Sequence, residues 1–135
     1  MDTCVVSEFV KPVPDVPVLM WFDTIQSELL YLSVLTIGEL REGITRLPES
    51  KKKHRLSTWL QGIISDYSDR LLPVNLEIAE NWGILQGRAK KEGKTLSAID
   101  GLLASTSYTH NMILVTRNEK DFFAAKIEVL NPWNI

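Results

Sequence analysis

Residues 112–123 read M-I-L-V-T-R-N-E-K-D-F-F, and they place an acid where chemistry is often done. The run 112–115 is apolar and rich in β-branched residues, which predicts a strand buried on both faces. It ends in Thr116, then Asn118, with Asp121 three residues further on. An Asn followed three positions later by an acid, ahead of apolar residues, predicts a helix start capped by Asn118 with Asp121 in the first turn. Asp121 then lies just past the C-terminal end of a core strand, where open α/β sheets bind ligands. Two further stretches repeat the pattern. Residues 30–35 form a strand-like run followed by Thr36-Ile37-Gly38-Glu39, and Ser97-Ala98-Ile99-Asp100 opens an apolar helical segment. Each acid falls at the third helical position after a possible cap. Capping explains any one of them, but Gln would cap equally well, so three acids together point to a shared site.

Asp2, at the second residue, makes a fourth. If right-handed crossovers bring Asp2, Glu39, Asp100 and Asp121 to one sheet edge, the carboxylates cannot all stay ionised unaided. At an effective dielectric of 20, a pair ~4 Å apart repels by about 4 kcal/mol. Either some remain protonated or a divalent cation sits among them. Hard oxygen donors without His or Cys partners suit Mg²⁺, with Mn²⁺ as the second choice, over Zn²⁺. His54 and His110 have no metal-ligand spacing. A metal held by a few carboxylates and several waters suits hydrolysis of phosphodiesters. Thr3, Thr116 and Asn118 could orient a water or a phosphate oxygen, although Thr116 and Asn118 could equally be caps. The chain has no Gly-rich phosphate loop and no G-x-S-x-G elbow.

The elements that must position these acids follow from periodicity. Three prolines between Lys11 and Pro17 predict a loop. Val18, Trp21, Phe22, Ile25 and Leu29 then recur at helical spacing, giving an amphipathic helix before the strand at 30–35. Helices are expected from Thr36 to Leu47, where Pro48 stops the first, and from about 51 to 67, the two forming an αα-hairpin. A short strand at 71–74 is confined to an edge by Pro73. Asn75 caps a helix to about Glu92, with Leu76, Ala79, Trp82, Gly83 and Leu85 as its buried stripe and Gly93 as its stop. The helix carrying Asp100 has small residues at Gly101, Ala104 and Ser105 for close packing on the sheet. A short helix near 121–124 and a last strand at 127–130 complete the chain. Alternating strands and helices predict an α/β domain with a largely parallel sheet, residues 1–135 forming one unit.

At 135 residues the chain is long enough to bury an ordinary core. A net charge of −2 and a pI near 5.7 argue against holding nucleic acid by a strong positive field alone. Two basic patches, Lys51 to Arg55 and Arg88 to Lys94, read as solvated helix faces. Cys4 is the only cysteine, so no internal disulfide can form. No apolar stretch approaches the ~18 residues of a membrane span and no signal-peptide pattern opens the chain, so a cytoplasmic location is expected.

With these residues in view, the chain resembles a known family. Asp2-Thr3 with Ser7-Glu8, Ser33-x-x-Thr36-x-x-Glu39-Leu40-x-x-Gly43-Ile44, Ala98-x-Asp100-x-Leu102-x-Ala104 and Thr116-Arg117-Asn118-x-x-Asp121-Phe122 are similar, in order and spacing, to the signature of PIN-domain ribonucleases, closest to VapC/FitB-like toxins of toxin–antitoxin pairs. The resemblance implies a three-layer sandwich around a parallel sheet of order 3-2-1-4-5, endonuclease activity on RNA, a homodimer, and inhibition within a larger assembly by a cognate antitoxin protein. It implies Asp2, Glu39, Asp100 and Asp121 as catalytic acids, the three Asp residues as ligands of Mg²⁺, and Thr3, Thr116 and Asn118 in support.

Two departures stand out. Cys4 occupies a position where the family usually has Asn. The apolar strand that normally precedes the first Asp is not seen before Asp2, so the central strand is expected to be truncated. That leaves three readings: a chain whose strand is encoded further upstream, a degraded and inactive copy that only binds its antitoxin, or a fold in which residues near Val5 and Val6 fill the centre. A phosphoaspartyl-transfer fold with Asp2 as nucleophile is a further enzyme class, but its D-x-D pattern is broken at Cys4. A receiver-like domain would need a central Asp that residues 71–75 do not offer.

Overall fold

A computed structural model describes all of residues 1–135. Its helices are α1 (Thr3–Glu8), α2 (Val16–Thr24), α3 (Val34–Thr45), α4 (Lys51–Asp66), α5 (Leu76–Lys91) and α6 (Ala98–Thr109). The strands are short: β1 (Leu32–Ser33), β2 (Leu71–Leu72), β3 (Leu114–Val115) and β4 (Val129–Leu130). β1 pairs with β2 and β3 with β4, both in parallel. The parallel α/β architecture is as expected, but the sheet comes in two halves.

Met1 and Asp2 bridge those halves. The amino group of Met1 donates to Tyr31 O at 2.9 Å on the β1 side, and Asp2 N donates to Val115 O at 2.8 Å on the β3 side. Two residues thus form the last rung of a central strand, giving the spatial order β2, β1, Met1–Asp2, β3, β4. Val5 and Val6 do not fill the centre. They belong to α1 and face opposite ways, Val5 packing with Val18, Trp21, Leu30 and Val115, Val6 with Leu32, Leu40, Ile44 and Leu60. A third cluster joins α5, α6 and β3 through Ala89, Leu103, Ala104, Leu114 and Phe122.

Several boundaries differ from expectation for identifiable reasons. α2 begins at Val16 because Pro17, which lacks an N–H, is tolerated in a first helical turn. It ends at Thr24, leaving a 3₁₀ turn (Ser27–Leu29) before β1. The run at 30–35 is mostly not strand: Ser33 Oγ accepts from Leu35 N, so Ser33, not Thr36, caps α3. The α5 stripe is also rotated. Ile78 and Ala89 are buried while Leu76 and Gly83 are exposed, because α5 packs chiefly on α6, where Ser105 Oγ donates to Ile78 O. The small residues of α6 therefore serve helix packing instead of sheet packing. A Cβ on Gly101 would lie 2.7 Å from Gln86 Nε2 and 2.9 Å from Trp82 Nε1, both on α5.

Candidate active site

Asp2 sits at the N-cap of α1, its backbone fixed by the bond to β3. Both carboxylate oxygens are engaged: Oδ1 accepts from Thr3 N and Oδ2 from Thr116 Oγ1, each at 2.7 Å. Glu39 projects from the second turn of α3. Its Oε1 accepts from Thr3 Oγ1 at 2.7 Å, so the residue after Asp2 joins two of the four acids. Asp100 is the third residue of α6, where its N–H donates to Ser97 Oγ at 3.2 Å as a capping geometry requires. Asp121 lies in a 3₁₀ segment (Glu119–Ala125) after β3 and is exposed. Its N–H donates to Asn118 O, but the Asn118 side chain caps nothing. The segment is 3₁₀, and its opening residue has neither extended nor helical backbone, so that side chain stays free.

The acids form one electrostatic neighbourhood. Burial pushes the Glu39 carboxyl above the ordinary carboxylate range; the hydrogen bond from Thr3 opposes this, and the charges of Asp2, Asp100 and Glu42 add to it. Burial likewise raises Asp100; the Ser97 bond opposes, and Asp121 and Asp2 push it further up. Asp2 and Asp100 thus act electrostatically on Glu39, and Asp2 and Asp121 on Asp100. No three of them close tightly enough to enclose an ion in this structure. The donor set is all oxygen apart from the Cys4 thiol, which burial raises and so keeps protonated. Both histidines are exposed.

The supporting residues divide. Thr116 is fully buried; its hydroxyl donates to Asp2 and accepts from Asn118 N, so it faces Asp2 and not a substrate. Thr3 is committed to Glu39. Cys4 fills its unusual position actively, its sulfur accepting from Arg117 N at 3.4 Å while lying 3.6 Å from Thr116 Oγ1. Sequence reasoning missed Glu8, a buried carboxylate that takes Lys11 Nζ at 2.6 Å and Asp15 N at 2.7 Å and so ties α1 to the start of α2. Its signal was an acid inside the short motif Ser7-Glu8 with a Lys three residues on.

A short-stranded parallel sheet with four coupled carboxylates at one edge is the arrangement of a PIN domain. The PIN-domain family model matches residues 1–128, and the chain belongs to that family. Its relatives narrow the place further, to the VapC and FitB proteins. The chain is 38% identical over 135 residues to toxin FitB of Neisseria gonorrhoeae, covering 99% of this chain and 97% of FitB. It is 36% identical over 134 residues to VapC ribonuclease Y4jK of Sinorhizobium fredii, covering 98% and 96%. The solved structure of FitAB bound to an IR36 DNA fragment matches with a TM-score of 0.93 at 37% identity, over 99% of this chain and 94% of that one.

Proposed function

We propose that this chain is the toxin of a toxin–antitoxin pair, an endoribonuclease that hydrolyses RNA phosphodiester bonds with the help of Mg²⁺ or Mn²⁺. The observation that carries the reading is the electrostatic coupling of Asp2, Glu39, Asp100 and Asp121, with Thr3 tying Asp2 to Glu39 and Thr116 fixing Asp2. Asp2, Asp100 and Asp121 would hold the cation. When bound, it supplies an activated water and neutralises charge developing on phosphorus. The protein's own work is placement. Thr116 and Thr3 N fix the Asp2 carboxylate so that it need not reorganise during reaction. Glu39, anchored at Oε1 and already disposed to hold a proton, offers Oε2 as the acceptor for one released by the attacking water. Asn118, whose exposed side chain caps nothing, would meet the RNA backbone.

An acidic crevice also attracts arginine, whose planar fork pairs with carboxylates. An antitoxin side chain of that kind near Asp100 and Asp121 would compete with metal. A homodimer is supported by the outer face of α5, where Leu76 and Ile84 are exposed.

Purified protein freed of antitoxin should cleave RNA only with Mg²⁺ or Mn²⁺, leaving 5′-phosphate and 3′-hydroxyl ends. Asp100→Asn should abolish cleavage while the thermal transition is retained. Cleavage that persists in chelator, or 2′,3′-cyclic ends, would exclude the mechanism. If the unsubstituted protein is inert on RNA yet binds its antitoxin, the chain is a binding module only.

A further inference from the structure

Beside the acidic crevice, where the chain leaves β3 and β4, lies an open hollow of about 560 Å³. Arg117, just past β3, and Trp133, just past β4, line it together with Glu8, Lys11 and Asp15 from the end of α1 and the loop into α2. Its distance from the acids follows from the chain. Thr116 donates to Asp2 Oδ2, and the next residue, Arg117, donates its backbone N–H to Cys4 Sγ at 3.4 Å. Glu8 ends α1, the helix that Asp2 caps, and its six residues span about 9 Å. At ~3.4 Å per stacked nucleotide, that is roughly two or three nucleotides from Asp2.

The charges lining the hollow differ in their commitments. Glu8 is occupied, its Oε2 accepting from Lys11 Nζ at 2.6 Å and its Oε1 from Asp15 N at 2.7 Å. Asp15 stands at the N-cap of α2, where the positive end of the helix dipole offsets its carboxylate. Arg117 is uncommitted. None of the chain's ion pairs uses it, and its guanidinium carbon lies over the Trp133 ring, 5.3 Å from the centroid. Trp133 is half-buried and its N–H donates to Asn131 Oδ1, while Asn131 Nδ2 reaches Arg117 O at 3.4 Å. The indole thus holds one face of an exposed guanidinium and leaves its N–H donors and second face for a ligand.

Given the ribonuclease reading of the crevice, on which this rests, we propose that the hollow is a subsite for one nucleotide of single-stranded RNA flanking the cleaved bond. The base stacks on the free face of the Arg117 guanidinium, and the adjoining phosphate pairs with its N–H groups. Unpaired bases stack in this way on arginine planes and aromatic rings. The net charge of −2 gives the chain no general attraction for RNA, and the four acids repel a phosphate backbone. A strand drawn to the crevice therefore needs an uncompensated cation beside it, and Arg117 is one. An antitoxin arginine meets the opposite field, attracted by the acids and repelled by Arg117, so the hollow suits RNA better than that partner.

Binding is read apart from cleavage in Asp100→Asn protein, alone and combined with Arg117→Ala or Arg117→Lys. Fluorescence anisotropy measures the affinity of each for a short oligoadenylate and for the same ribose-phosphate strand without bases. Arg117→Ala should weaken oligoadenylate binding roughly tenfold and lower the slope of log affinity against log salt by about 0.7. Arg117→Lys should keep the slope, lose most of the affinity for oligoadenylate, and bind the base-free strand as the Arg117 protein does. Should Arg117→Ala destabilise the chain, the Arg117→Lys comparison between the two strands decides alone. Equal affinities of the Arg117 and Arg117→Ala proteins, the same Arg117→Lys loss on both strands, or no binding of either strand would overturn the subsite. So would an Arg117→Ala protein that binds RNA unchanged but loses its antitoxin, since the hollow would then dock protein. The ribonuclease reading fails separately, on cleavage by the unsubstituted chain.

Discussion

The four acids divide although they are chemically similar. Asp2 is buried and has both oxygens engaged, whereas Glu39 and Asp100 are half-buried with raised affinity for protons. For these two the linkage has a definite sign. Their folded pKa values lie above the unfolded ones, so the folded state retains protons that the unfolded state has lost. The destabilisation they cause is absent below the ordinary carboxylate range, grows as pH rises through it, and is complete once pH exceeds their raised values. A bound divalent cation competes with those protons and relieves the repulsion, stabilising the folded state selectively. Millimolar Mg²⁺ should therefore raise the melting temperature near neutral pH, and the increment should shrink as pH falls into the carboxylate range, where Glu39 and Asp100 take up protons first. An increment insensitive to pH, or undiminished in Asp100→Asn, would show that the ion binds elsewhere. Glu39, Asp100 and Asp121 stood out in the sequence because each follows a strand-like run or a cap signal, whereas Asp2, with neither ahead of it, did not. The commitments of Thr116 and Thr3 were not, since a hydroxyl's partner is set by elements more than thirty residues away.

Elements were legible in kind and less so in orientation. α4 and α5 lie close to the spans that their periodicity predicts, and Gly93, at φ +70, ends α5 region as expected. The face of α5 was misread because the helix carries apolar residues on two sides, and only the contact with α6 decides between them. The sequence points to Thr36 as the cap of α3, but Ser33 is the cap, and moving it by three residues shifts Glu39 from the first turn to the second. The contact between α5 and α6 supplies a direct measurement. Gly101→Ala would press a methyl against Trp82 and displace Gln86, whose Nε2 donates to Leu96 O and Ser97 O just ahead of Asp100. Overpacking of this kind costs about 1–3 kcal/mol. Gly62→Ala on exposed α4, with nothing within 4 Å of its Cβ, should instead gain about 0.5–1 kcal/mol. Urea unfolding of the two variants checks both signs, and equal effects would mean that the α5–α6 contact yields freely.

At the scale of the molecule, a gap at the centre of the sheet was expected from the sequence, and the two strand pairs are separate. Their bridging by Met1 and Asp2 was not legible, because two residues carry no periodic pattern to read. The proposed dimer would use the outer face of α5. Leu76 is 77% and Ile84 53% exposed, and they flank an open hollow with Trp82 and Gly83. Isolated exposed apolar residues are ordinary, but several along one helix face, beside a glycine that admits close approach, fit a helix packed against its symmetry mate. In a C2 dimer each substitution counts twice. Ile84→Glu would place two carboxylates in the shared interface, where each loses hydration without gaining a partner. In a lone subunit the same side chain points into water and should change folding stability by no more than about 0.5 kcal/mol. Sedimentation of the unsubstituted chain should therefore report a dimer and of Ile84→Glu a monomer with a circular-dichroism spectrum unchanged. A variant that remains dimeric would move the interface off the α5 face, and an unsubstituted chain that sediments as a monomer would remove the dimer altogether.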